Sequence, residues 1–238
     1  MNSMFGYTFT PSAALGPNQR SDFQMLIDAD SDFLIEKVYS NEDGPFKIQI
    51  LDTTTSYQWF SDRIRMENFF GDAEYPNELP TPIEVKRGTQ LNLDIENLTA
   101  APNNIELTFE GYRISENIVI GKKRYYSYVK NFVLAGNDRT QDTLITNSDT
   151  DFLINRFIGW RSKDYVTKLK MSMSSLSGRQ MYSQFTTMEN VFGTVLRPNN
   201  LKHPLRLEKN TIVKYEVQNL DPAAQEVQLV FDGVKIWS

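Results

Sequence analysis

The amino-acid sequence predicts an all-β chain built as two tandem, internally duplicated eight-stranded β-sandwiches of the jelly-roll kind. Three observations predict it. MENFFG at Met66–Gly71 returns as MENVFG at Met188–Gly193, and the likeness runs far beyond those hexapeptides. Apolar and polar residues alternate in short segments separated by turn signals. No segment carries a 3.6-residue apolar stripe over three turns, so crossover helices are not expected.

The repeat covers nearly the whole chain. From Gln58 to Ile114 an offset of 122 needs no gap: QWFS meets QMYS, PNELPTP meets PNNLKHP, IENL meets VQNL, and IELTFEGYRI meets VQLVFDGVKI. Upstream the offset becomes 119, where SDFLIEKVY meets TDFLINRFI and LGPNQR resembles LAGNDR. Self-similarity on this scale marks repeated domains rather than a shared local motif. It places the domains at residues 1–118 and 119–238, each long enough to bury its own core.

Within each copy the period is two. Phe46, Ile48 and Ile50 alternate with Lys47 and Gln49; Leu91, Leu93 and Ile95 with Asn92 and Asp94; Ile105, Leu107 and Phe109 with Glu106, Thr108 and Glu110. In the second copy Leu169, Met171 and Met173 alternate with lysine and serine, and Val213, Tyr215 and Val217 with Lys214, Glu216 and Gln218. Such strands turn one side to a core and the other to solvent or a partner. About eight of them per copy, punctuated by NEDGP, KRGT, EKNT and PNN, fit a jelly roll. An immunoglobulin-like sandwich is the structural alternative, although its seven strands need only about 100 residues.

Composition narrows the chemistry. The 238 residues are 40% apolar and 23% charged, as in an ordinary globular protein. A net charge of −5 argues against general nucleic-acid binding, which favours a basic surface. There is no cysteine and one histidine, His203. Thiol nucleophiles, disulfides and cysteine or multi-histidine metal sites within one chain are thereby excluded, and any Ser-His-Asp triad would need His203. His203 stands where the first copy has Thr81, so it is not shared machinery. No phosphate-loop, metalloprotease or nucleophile-elbow motif is present. A glycosidase-type carboxylate pair would have to be assembled by the fold. No catalytic residue and no cofactor is expected. The N-terminus lacks the basic start and apolar run of a secretory signal, and no stretch approaches the roughly 18 apolar residues of a membrane span. The chain is expected to be soluble and made in a cytoplasm.

The loops FGDAEYPNELPTP and FGTVLRPNNLKHP are matched by Pro76 and Pro82 in one, Pro198 and Pro204 in the other. Proline fixes φ and pushes its predecessor towards extended geometry, so both are expected to be stiff lids over a sandwich end. Leu79 and Leu201 would anchor them, while Gly71 and Gly193 permit a sharp exit from the preceding strand. The polar pairs before them, Glu67 with Asn68 and Glu189 with Asn190, are expected to bond the backbone where the chain bends. A function located here is expected where the lids differ, Asp72–Tyr75 against Thr194–Arg197.

Two further clusters offer binding chemistry. Asp28, Asp30 and Asp32, matched by Asn147, Asp149 and Asp151, have the alternating oxygens that can begin a calcium loop. Phe33 and Phe152 stand where an EF-hand needs glycine, and Tyr39 where it needs glutamate, so a polar turn is the expected role. Lys122, Lys123 and Arg124, running into Tyr125 and Tyr126, could contact phosphates and stack bases. At the domain junction they could equally meet acidic surface on a neighbouring subunit. Exposed aromatics such as Trp59, Trp160 or Trp237 would suit a tandem carbohydrate-binding protein, although Met181 replaces Trp59 in the second copy.

The DFLI block, the FG-x-P-x-L-x-x-P lid, the turn after IENL and VQNL, and the closing FxGxxI strand together resemble bacteriophage virion structural proteins built from duplicated jelly-roll modules. That resemblance implies a non-enzymatic building block that oligomerises with itself and with other virion proteins. In this family three chains with two modules each commonly present a pseudo-hexagonal block. Single or paired modules also serve as decoration, vertex, collar or tail-ring proteins. At 238 residues the chain would be small for a double jelly-roll major capsid protein.

Overall fold

The computed structural model describes residues 3–115, 122–163, 166–173, 181, 182 and 184–237. These divide into two compact units, Met1–Ser127 and Tyr128–Ser238. The boundary expected at 118/119 lies outside the described residues. The first unit extends to Ser127 because that residue exchanges main-chain bonds with the loop at Trp59: its N–H donates to the Trp59 carbonyl and its carbonyl accepts from Ser61.

In the first unit β1 (Ser3–Phe9), β9 (Ile105–Ile114), β3 (Asp32–Glu42) and β7 (Asn77–Val85) lie side by side in that order. The second sheet runs β2 (Arg20–Leu26), β8 (Gln90–Asn97), β4 (Phe46–Asp52), β5 (Tyr57–Gln58), with β6 (Ile64–Arg65) also pairing β4. Every registered pairing is antiparallel. Interleaving early with late strands in both sheets is the jelly-roll arrangement.

The second unit has the same order. One sheet is β10 (Lys123–Leu134, in this unit from Tyr128 onward), β17 (Gln225–Trp237), β12 (Thr150–Arg161), β15 (Asn199–Leu207); the other is β11 (Arg139–Ile145), β16 (Ile212–Asn219), β13 (Thr167–Met173), β14 (Thr186–Thr187). Irregularities correspond as well. A bulge shifts the register between Ile35 and Lys37 in β3 and between Ile154 and Arg156 in β12. Left-handed turn residues fall at Asn18 and Asn137, and at Gly88 and Asn210.

The alternating residues are the core. Phe46, Ile48, Ile50, Leu91, Leu93 and Ile95 are fully buried, as are Leu107 and Phe109 opposite them. In the second unit Leu169, Met171, Val213, Tyr215 and Val217 are buried alike. β17 departs from the pattern, since Val227 to Lys235 are buried on both faces. Its polar residues are matched: Gln228 Nε2 donates to Asn131 Oδ1 at 2.7 Å, and Asp232 pairs with Arg156.

The lids differ from expectation in their second halves. Asn77–Val85 and Asn199–Leu207 are strands, prolines included. Both are sheet edges, where a missing N–H costs no ladder bond. Pro82 also falls in a stretch that is out of register: Ile35 pairs Ile83 and Lys37 pairs Glu78, so Leu79–Pro82 stand outside the ladder. Pro204 has the same position between the Leu205 and Asn200 pairings.

Candidate functional site

Each lid begins with a single 3-10 turn, Met66–Asn68 or Met188–Asn190. The turn is closed by main-chain bonds to one carbonyl: Phe69 and Phe70 donate to Met66, Val191 and Phe192 to Met188. The chain then passes flat against the neighbouring strand. Gly71 N–H donates to Val38 and its carbonyl accepts from Ser40; Gly193 N–H donates to Phe157 and its carbonyl accepts from Gly159. A Cβ at Gly71 would run into the Tyr75 carbonyl, and one at Gly193 into that of Arg197. Glycine is therefore required by close backbone approach.

The acids before the lids are held by arginines, and further asparagines fasten the lids. Glu67 receives Arg65, at 3.1 Å from Nη2, and Glu189 pairs with Arg161, so both acids bind side chains rather than backbone. Asn68 is buried and Asn190 exposed. The backbone is held by Asn77, whose Nδ2 donates to the Phe69 carbonyl at 2.6 Å, and by Asn199, which reaches Val191 at 2.7 Å. Leu79 is buried as expected, whereas Leu201 is half-buried. Pro76 and Pro198 are both half-buried where the strands begin, and Pro204 is exposed.

A second pair of asparagines pins the sandwich end. Asn97 Nδ2 donates to the carbonyls of Leu15, Gly16 and Ala101, while its Oδ1 accepts from Thr99. Asn219 Nδ2 reaches Ala135 and Ala223, and its Oδ1 accepts from Asp221. Both are fully buried, where each unmade bond would be costly. Their signal was present in the matched PN and xNL patterns.

The tips carry what the two lids do not share. Asp72 Oδ1 accepts from the main chain of Glu74 at 2.9 Å and Tyr75 at 2.6 Å; Thr194 Oγ1 caps Arg197 in the same way. Around this common turn the first tip exposes Asp72, Glu74, Glu78 and Tyr75, and the second Leu196, Arg197, Lys202 and His203.

The remaining candidates are tied into the fold. Asp32 is fully buried and ion-paired with Lys86 at 3.1 Å and Arg87 at 3.2 Å; Asp28 pairs with Arg113 and Asp151 with Arg206. Arg206 lies beside Asp151 and holds its carboxyl below the usual range. Asp30 Oδ1 accepts from the Ser31 hydroxyl, and the side-chain Oδ1 of Asn147 from the Tyr128 hydroxyl. Asp149 is exposed. The aspartate turns thus engage cations of the chain itself, and among the described residues no group of three acids or histidines could hold a metal ion. Arg124 stacks 3.8 Å from the Tyr57 ring centre, bonds Thr55 at 2.9 Å and faces buried Asp52 at 3.6 Å, so it is a packing residue; Lys122 and Lys123 are exposed. Trp59 is 2% exposed, edge-on to Phe69 and Phe109, which removes it as a sugar platform. Trp160 and Trp237 are half-buried.

Compared by sequence, the chain matches no family model and no curated protein. Compared by structure, it is similar to the STIV major capsid protein: the TM-score is 0.52 at 7% identity, across 98% of this chain and 97% of that one. It is also similar to a chain in the atomic structure of Sulfolobus turreted icosahedral virus, with a TM-score of 0.50 at 6% identity, over 98% and 91%. What the chain shares with them is the jelly-roll fold. The glycosylasparaginase PNGase F of Flavobacterium meningosepticum aligns over 98% and 96% at 10% identity, with a TM-score of only 0.41.

Proposed function

We propose that the chain is a structural building block of a virus particle, arising by duplication of one jelly-roll module and working by self-association without catalysis. The observation that carries this reading is the double fold: two jelly rolls of identical strand order in a single chain. The span over 97% of a viral major capsid protein supports a major-capsid role for a chain of this length. Three chains would bring six modules into one pseudo-hexagonal block, a closed symmetric assembly in which shape does the work. A bacteriophage source rests on the sequence resemblance, since the viral neighbours come from a virus of Sulfolobus.

Light scattering on the eluting purified protein tests the reading. It predicts a trimer or a larger symmetric oligomer with interfaces of roughly 1,000 Å² or more. A chain that stays monomeric at high concentration contradicts it.

A further inference from the structure

The two lids are the same construction with opposite charge. Both are launched by a 3-10 turn, pass the neighbouring strand at a glycine, turn on a side-chain oxygen and end in an edge strand held by asparagine. Between Gly71 and Pro82 the charged residues are Asp72, Glu74 and Glu78, all acids. Between Gly193 and Pro204 they are Arg197 and Lys202, with His203 beside them, and there is no acid. All six side chains are exposed in the single chain. Among the described residues, no ion pair engages Glu74, Arg197 or Lys202. Each tip adds one large exposed apolar residue, Tyr75 at 58% and Leu196 at 53%.

We propose that the acidic lid of one chain docks on the basic lid of a second copy of the same chain. The inference rests on the assembly reading above and specifies its contact. Divergence at the tips has left the lid scaffold intact while producing complementary potentials, the arrangement that selects a partner and fixes register. Two first-unit tips would repel each other, as would two second-unit tips, so the contact is heterologous and propagates head to tail until a ring closes. Tyr75 and Leu196 supply an apolar centre and the charges a polar rim. First and second units then alternate around the block.

Charge reversal with native mass spectrometry and sedimentation at low and high salt tests this. Glu74→Lys/Glu78→Lys in one variant, and Arg197→Glu/Lys202→Glu in another, are each expected to raise the dissociation constant for self-association about tenfold or more. All four substitutions in one chain restore the contact with its signs exchanged, and assembly returns. The difference between variants and the unaltered protein narrows in high salt. Thermal melting of each variant establishes folding, and Glu74→Ala with Lys202→Ala gives a smaller loss in the same direction. Reversals that assemble like the unaltered protein, or a fourfold variant that is folded yet does not recover, overturn the lid contact while leaving assembly standing. An unaltered protein that is monomeric overturns the assembly reading and this contact with it.

Discussion

Arg156 and Asp232 form an ion pair across β12 and β17 with side chains only 3% and 1% exposed. At the corresponding bulge of the first unit Lys37 faces Glu110 at 3.5 Å, but those side chains are 35% and 23% exposed. The same register position therefore holds a desolvated pair in one unit and a solvated one in the other.

Removing one partner should separate the two cases. Asp232→Ala strands a buried guanidinium and is expected to cost about 3–5 kcal/mol. Glu110→Ala is expected to cost about 1 kcal/mol or less, because water screens the pair it breaks. Urea denaturation, followed by probes assigned to each unit, measures both. Similar costs would mean that burial is not what distinguishes the pairs.

Gly71→Ala and Gly193→Ala each drive a methyl group into a backbone carbonyl of the lid. Overpacking of this kind costs about 1–3 kcal/mol. Melting temperatures should fall for both, and by similar amounts, if the lids are equivalent scaffolds.

Lys235 carries a pH dependence. It is buried, with Nζ 6.0 Å from the Tyr128 ring centre, and burial lowers its ammonium to about 8 against the pull of Asp149. Its counterpart Arg113 pairs with Asp28, whose place in the second unit is taken by neutral Asn147. The folded chain holds this proton less tightly than the unfolded chain. Its contribution to stability is complete above the ordinary lysine value of 10.5 and is lost as pH falls through about 8. The second unit should gain stability on going from about pH 8 to about pH 10. Lys235→Met should raise the melting temperature at neutral pH and flatten that rise.

Acid acts on a different group. In the first unit Phe9 packs on Phe23; the second unit places Lys130 against Asp142, which also accepts from Tyr215 at 2.8 Å. Burial pushes the Asp142 carboxyl up, but the Thr143 N–H, the Tyr215 hydroxyl and Lys130 outweigh it, so its pKa is lowered. Stability from a depressed carboxylate is present above its unfolded value near 4 and lost as pH falls through the folded one. Asp142→Asn should reduce the acid sensitivity of the second unit in a melting series below about pH 4.

The strands were legible because alternation has a period of two that burial enforces, as Phe46, Ile48 and Ile50 illustrate. In the lids, Pro82 and Pro204 argue locally for loop and against strand. An edge position outside the ladder suspends that argument, and edge position is a property of topology. The burial of Trp59 is not legible locally, since nothing near it in sequence records the aromatic residues that converge on it. Asn77 and Asn97 bond carbonyls that only folding brings near, although their matched positions marked them. The Arg156–Asp232 pair spans 76 residues. Its trace was the opposite charge kept at corresponding places in EKV and FEG, NRF and FDG. The lid charges were visible in the letters, but their meaning depended on the two tips sharing one exposed backbone.

In the proposed role, two jelly rolls in one chain serve to build a particle. Electron microscopy of the purified protein, with averaging of its particles, tests it most directly. Six-lobed blocks of three chains, or larger shells tiled from them, are the predicted result. A field of single, unassembled chains at assembling concentrations would contradict it.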